Sequence, residues 1–282
     1  MKPLSVLAAA MLALTLSPGS AHAKSTARLT ALHVAPVETK IGLAIQGLNS
    51  HSAKASALTA YMTSVGLEPP NITQVMEKFA HELGMDDTRK PLPESIGLAP
   101  GGTAALYVVL YDGRPRELIA IDVADKRAFI AFLKRQEEQG QWVEEGEKPK
   151  KARVKRKRLK NGVEEITVAL PGRQGETVHF KGSVAVHSQH REVLDLVAWK
   201  GTPIAPAFKQ LSRDPEQLTV AIWARPGELL GATEPEMRVF ESVSGHMVLD
   251  GGGMHVDVAL TLSDDAAPFA PIGRPGTLGA KA

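Results

Sequence analysis

Tight turns between short apolar runs constrain this chain more than any other feature. Residues 104–111 (AALYVVLY) and 117–123 (ELIAIDV) flank Asp112-Gly113-Arg114-Pro115. Asn161-Gly162 precedes the alternating run 163–170, in which Ile166, Val168 and Leu170 share a side. Gly251-Gly252-Gly253 separates 245–250 from 255–262. Turns of this composition between apolar segments force antiparallel hairpins. Hairpins outnumber parallel crossovers, so the expected fold class is α+β: antiparallel sheet built of hairpins, with helices packed on one face.

The remaining runs fit that outline. Further strands are expected at 40–47 (KIGLAIQG), 177–187 and 218–224 (LTVAIWA). Ser52 stands at an N-cap position for a helix to about Val65, with Leu58, Met62 and Val65 on one stripe. Asn71 caps a second, carrying Ile72, Val75, Met76, Phe79 and Leu83 before Gly84. Asp125 caps a third, bearing Phe129, Phe132 and Leu133 to about Gln139. Shorter helices are expected after Ser188 (Val193, Leu194, Val197) and at 205–211, a helical turn at 226–230, and at 237–243 either a helix or a strand, the helix preferred. Residues 118–133 and 184–197 both run strand, polar cap, amphipathic helix, a weak internal duplication. The chain accordingly divides into a first α+β half at 24–143 and a second at 144–263, with a basic hairpin at 148–170. Residues 264–282 are rich in Pro, Gly and Ala and are expected to form a disordered tail.

The first 23 residues form a signal peptide by pattern. Lys2 supplies positive charge, Leu4 to Leu16 is almost wholly apolar, and Ala21-His22-Ala23 is a small-x-small cleavage site. A membrane span needs about 20 apolar residues, so the run is too short to anchor. Cleavage after Ala23 implies the periplasm, or secretion beyond it, and a mature chain with no transmembrane span. The chain has no cysteine, which removes disulfides, thiol chemistry and a cysteine-linked lipid anchor. Net charge falls from +2 to +1 when Lys2 is removed, so the whole protein is no polycation.

No catalytic or metal-binding pattern stands out, and no cofactor or metal is expected. His187-Ser188-Gln189-His190 is a close histidine pair, but it straddles a strand end and a helix start, with no carboxylate at ligand spacing. His246 and His255 are candidates to face each other across the last hairpin. No G-x-S-x-G elbow or S-x-x-K occurs. Candidate acid–base residues, were the chain a hydrolase of an envelope polymer, are Asp122, Asp250 and Asp257, which lie in or at the ends of strands.

One feature rises above this background. Lys148, Lys150, Lys151, Arg153, Lys155, Arg156, Lys157, Arg158 and Lys160 crowd one short stretch. In a strand, Arg153, Lys155 and Lys157 point one way and Arg156, Arg158 and Lys160 the other. Neither face suits burial, which predicts an edge strand, a protruding ribbon or a flexible arm. A two-residue turn at Asn161-Gly162 sets Arg158 opposite Glu165 and Leu159 opposite Glu164. Such an edge either blocks sheet-to-sheet aggregation or contacts an anionic partner: lipopolysaccharide, phospholipid head groups or an acidic polymer. The contact residues in the second case are Lys151, Arg153, Lys155, Arg156, Lys157 and Arg158. Export argues against nucleic acid.

Ser95-Ile96-Gly97-Leu98-Ala99-Pro100 leads into the strand at 104–110; a strand, Asp cap and Phe-rich helix follow at 119–133, and a helix end with a glycine-turned hairpin at 240–262. In these packing motifs the chain resembles a group of uncharacterised exported proteins of soil-dwelling, myxobacteria-like Gram-negative bacteria, known as domains of unknown function. The resemblance implies periplasmic placement and supplies no catalytic residues. The function expected is a non-enzymatic, envelope-associated binding protein.

Overall fold

A computed structural model of the protein describes residues 29–46, 96–99, 101–139, 150–201, 208, 218–230, 235–250 and 253–263. Ten strands form one sheet: β1 (Thr39–Gln46), β2 (Thr103–Tyr111), β3 (Arg114–Asp122), β4 (Arg153–Arg158), β5 (Glu164–Ala169), β6 (Glu176–Lys181), β7 (Val184–His187), β8 (Leu218–Ala224), β9 (Phe240–Asp250) and β10 (Gly253–Leu262). Their order is β10-β9-β8-β1-β2-β3-β7-β6-β5-β4, with every neighbour antiparallel. The first three strands therefore lie in the middle, and residues of 144–263 flank them on both sides.

This corrects the expected α+β class with helices packed on one face. Strand dominates the described residues, and what little helix there is lies on both faces of a single sheet. Helix α1 (Lys126–Gln139) covers one face, placing Phe129, Ile130, Phe132 and Leu133 over Ile119, Ile121, Ile166, Val178 and Phe180. The 3-10 turns Ala31–Val34 and Arg191–Leu196 cover the other, over Ala105, Tyr107, Leu118, Ala120, Val184 and Val186. The physical reason lies in the central strands. Leu118-Ile119-Ala120-Ile121 and Val184-Ala185-Val186 are buried without interruption, so both faces need cover. Alternating strands half open to water would have needed cover on one side only.

Several local expectations change with it. The strand expected over 177–187 is two, β6 and β7, joined by a tight turn in which Gly182 takes φ +60. The helix after Ser188 is only a 3-10 stretch, and residues 237–243 are a 3-10 turn ending at Val239 before β9 begins. There Val243 and its neighbours gain a full ladder between β8 and β10, which outweighs local helix preference. The helices expected at 52–65 and 71–83 and the tail at 264–282 lie outside the described residues; of the one expected at 205–211, only Phe208, buried, is described.

Other features follow the local chemistry. Asp112 and Gly113 both take positive φ, 49° and 69°, and turn β2 into β3. Asp125 caps α1, its carboxylate accepting from the Arg127 and Ala128 amides at 2.8 and 3.1 Å. Gly97, at φ +82, sits against this cap: its carbonyl accepts from the Ala124 and Asp125 amides, and a Cβ would stand 2.2 Å from the Asp125 carbonyl oxygen. Ile96 and Leu98 on either side are buried, so this motif is a packing device. Among the described residues no helix is long and apolar enough to cross a membrane.

Candidate anion-binding site

Among the described residues β4 is the last strand of the sheet and has β5 as its only sheet neighbour. Arg153, Lys155, Arg156, Lys157 and Arg158 are all exposed, and Lys151 is exposed just before the strand. Two apolar side chains hold it down. Ala152 is buried, its amide donating to the Glu138 carboxylate at 2.9 Å, and Val154 packs half-buried on the core beneath α1. The predicted edge position is where the basic run sits.

The register differs from the expected one by a residue. Lys157 lies opposite Glu165 and Arg158 opposite Glu164. The connection is not a two-residue turn. Leu159 to Val163 close it, the Leu159 amide donating to the Val163 carbonyl at 2.7 Å, with Asn161 and Gly162 both at positive φ. Because side chains alternate with period two, the slip decides which cation meets which carboxylate.

Neither carboxylate is left for most of the run. Glu164 is bridged by Lys126 of α1, with Arg156 a distant second at 3.8 Å. Glu165 is buried and accepts from Arg191 at 2.6 Å and from His179 at 3.3 Å. Burial pushes the Glu165 carboxyl upward, but these two hydrogen-bond donors outweigh it and hold the pKa below the usual value. Burial lowers the His179 pKa, against the pull of Glu165. Arg153, Lys155, Lys157 and Arg158 therefore have no carboxylate partner among the described residues.

Two of these side chains, Arg153 and Lys155, open onto a groove of about 780 Å³. Arg153 and Lys155 line one wall, joined by Arg173 from the β5–β6 turn and Arg191 from the 3-10 stretch. Arg173 and Arg191 were not legible as site residues. Each stands alone in the sequence, and only the folding of β5, β6 and β7 beside β4 brings them in.

The other candidates disperse. His187 is buried, its Nδ1 donating to the Thr177 carbonyl at 3.0 Å. Its ring lines a cavity of about 20 Å³ beneath α1, its Nε2 is buried, and burial drives its pKa down to about 4. Glu176 stands 3.4 Å from that nitrogen without hydrogen-bond alignment. His190 points elsewhere, accepting from Arg116 at 3.1 Å. His246 faces Asp257, at 3.0 Å, and His255 faces Val248, so the pair expected to meet across the last hairpin does not. Asp122 is committed to backbone, accepting from the Ala31 and Thr103 amides at 2.8 and 3.0 Å. It lies on β3 and Asp257 on β10, with four strands between them; the Asp250 side chain is outside what the structure describes. No three histidine or acidic side chains gather at metal-binding distance among the described residues.

No family model matches the chain, and no curated protein does. Among solved structures, crystal forms I, III and IV of TP0453 align with 88, 86 and 86% of this chain and 86, 82 and 89% of theirs. Their TM-scores are 0.40, 0.39 and 0.39, at 9, 7 and 8% identity. A likeness of that size assigns neither fold nor function.

Proposed function

We propose that the chain is a non-enzymatic binding protein of the cell envelope, exported to the periplasm, that contacts an anionic partner through its basic edge. One observation carries this reading. Among the described residues four of the five cations on β4 have no carboxylate partner, because the carboxylates on β5 are already taken by Lys126, His179 and Arg191 and, more distantly, by Arg156. Unmatched positive charge on an edge attracts anions as well as guarding it against other sheets. Here the excess is kept. Two of the described groups that might have run chemistry bond backbone instead, His187 to Thr177 and Asp122 to Ala31 and Thr103. The signal pattern ending at Ala23 and the resemblance to exported proteins support the location.

Binding of anionic vesicles or lipopolysaccharide, measured against salt, tests the contact. Wild-type binding at low salt should fade as the screening length shrinks toward about 8 Å at physiological ionic strength. Substituting Lys155, Arg156, Lys157 and Arg158 together by serine should weaken it while the fold survives. No wild-type binding to any anion at low salt would leave β4 as a guarded edge only. For export, the intact mass of protein recovered from the envelope should correspond to a chain starting Lys24-Ser25-Thr26; a mass retaining Met1 to Ala23 would defeat the cleaved-signal reading.

A further inference from the structure

We infer that the groove beside β4 is a subsite for a hydroxyl-rich acidic chain, an oligosaccharide bearing spaced carboxylate or phosphate groups. The inference rests on the anion-binding reading above and assigns it a place and a ligand class. Lys155, Thr167 and Thr177 stand in one row across β4, β5 and β6, so they share a face. Arg153 lies two residues before Lys155 on that face. Arg191 reaches Glu165 at one end of β5, and Arg173 follows Ala169 at the other. The four residue steps from Glu165 to Ala169 span on the order of 13 Å of extended chain, so the cations line a track and do not cluster at a point.

The groove's size and lining narrow the ligand. Its volume of about 780 Å³ lies in the range of small-ligand sites. Its hydrogen-bonding walls are amides and hydroxyls: Gln136, Gln174 and Gln189, with Thr167 and Thr177. The two threonine hydroxyls are 3.1 Å apart, and each keeps further hydrogen-bonding capacity. Among the described residues no aromatic side chain lines it to serve as a stacking platform for bases. Its described apolar lining is Ala169, Leu170 and Pro171, which offers little to acyl chains.

Two features set its selectivity. Arg191 is held by Glu165, which fixes its position while leaving guanidinium N–H groups to donate. Glu137 and Glu176 also line the groove. Among the described residues, four cations against two carboxylates favour a polymer whose charges are spaced along it over a dense polyanion.

Calorimetric titration at low salt, with a short oligogalacturonate, a neutral oligosaccharide of equal length and acidic phospholipid vesicles, tests this. Two double variants carry the comparison: Lys155→Ala with Arg173→Ala empties the groove, and Arg156→Ala with Arg158→Ala removes equal charge from the opposite face of β4. The expected result is binding of the acidic oligomer but not the neutral one, weakened at least about tenfold by the groove pair and less than about threefold by the other pair. Equal weakening by both pairs overturns the groove and keeps the anionic edge. So does binding of vesicles without the oligomer, or of both oligomers alike. Wild-type protein that binds no anion sinks both readings. Melting temperatures are recorded for each variant, and Arg173→Ala alone, in a turn outside the ladder, decides the matter if the double variant unfolds.

Discussion

The two ends of the sheet treat the same hazard in opposite ways. An edge strand offers unpaired backbone groups to any other strand. β4 meets this with charge, since five of its six residues are cations and only Val154 packs inward. β10, at the far end, carries a row of apolar side chains in water: Val256, Val258, Leu260 and Leu262 are 53, 67, 59 and 47% exposed. Its one acid, Asp257, is matched by His246 on β9. Further in, the same face differs as sharply. Ile166, opposite Arg156, is wholly buried with the core beneath α1, whereas Ile222 and Val258, on either side of Gly245, remain 46 and 67% exposed. Short α2 (Pro226–Leu230) packs against β9 and β1 and leaves the β10 row uncovered. The lesson is that cover by α1 makes one half of the sheet a core and frees its edge for charge. The other half keeps its apolar face on the surface.

The largest expected effect separates the two halves by stability. Phe132→Ala, beneath α1, should cost about 3–5 kcal/mol, as large core truncations do. Val258→Ala on β10 should cost within about 0.5 kcal/mol, as exposed positions do. Denaturant midpoints at constant slope measure both; equal costs would mean that β10 is covered after all.

Acid should also act on the covered half. His187 is buried on β7 with its pKa at about 4, against about 6.5 when exposed. Between those values the unfolded chain binds the proton and the folded chain does not, so stability is full above about pH 6.5 and falls toward pH 4. The loss amounts to about 3 kcal/mol at most. His187→Gln should flatten that part of the pH–stability curve. An unchanged curve would mean that the imidazole is already charged in the fold.

Self-association sharpens the contrast at the edges. Val258→Lys should make sedimentation less dependent on concentration, because a charge now guards the exposed row. Removing the charges of β4 should have the reverse effect. The smallest expected change is in stability at that basic edge: replacing Lys155, Arg156, Lys157 and Arg158 by serine should cost within about 1 kcal/mol, read from the melting transition. A larger loss would show that the edge is bound into the core more firmly than Ala152 and Val154 account for.

What the sequence determined by itself is what neighbouring residues decide. Asp112-Gly113 turns a chain between two apolar runs, Asp125 caps the helix that follows, and a run alternating cations on both faces has no place but an edge. These choices depend on backbone conformation and solvation within a few residues, so they can be read before any tertiary contact is known. Tertiary structure decided the rest. A five-residue closure in place of a two-residue one moved the β4 register by a residue. A glycine turn at 182 split one apparent strand into two, and pairing of β1 with β8 and of β3 with β7 set the basic and apolar edges at opposite ends. Non-local pairing is chosen by which faces bury together, and burial is a property of the assembled sheet. For the same reason Arg173 and Arg191, isolated in the chain, meet Arg153 and Lys155 only once β5, β6 and β7 are laid beside β4.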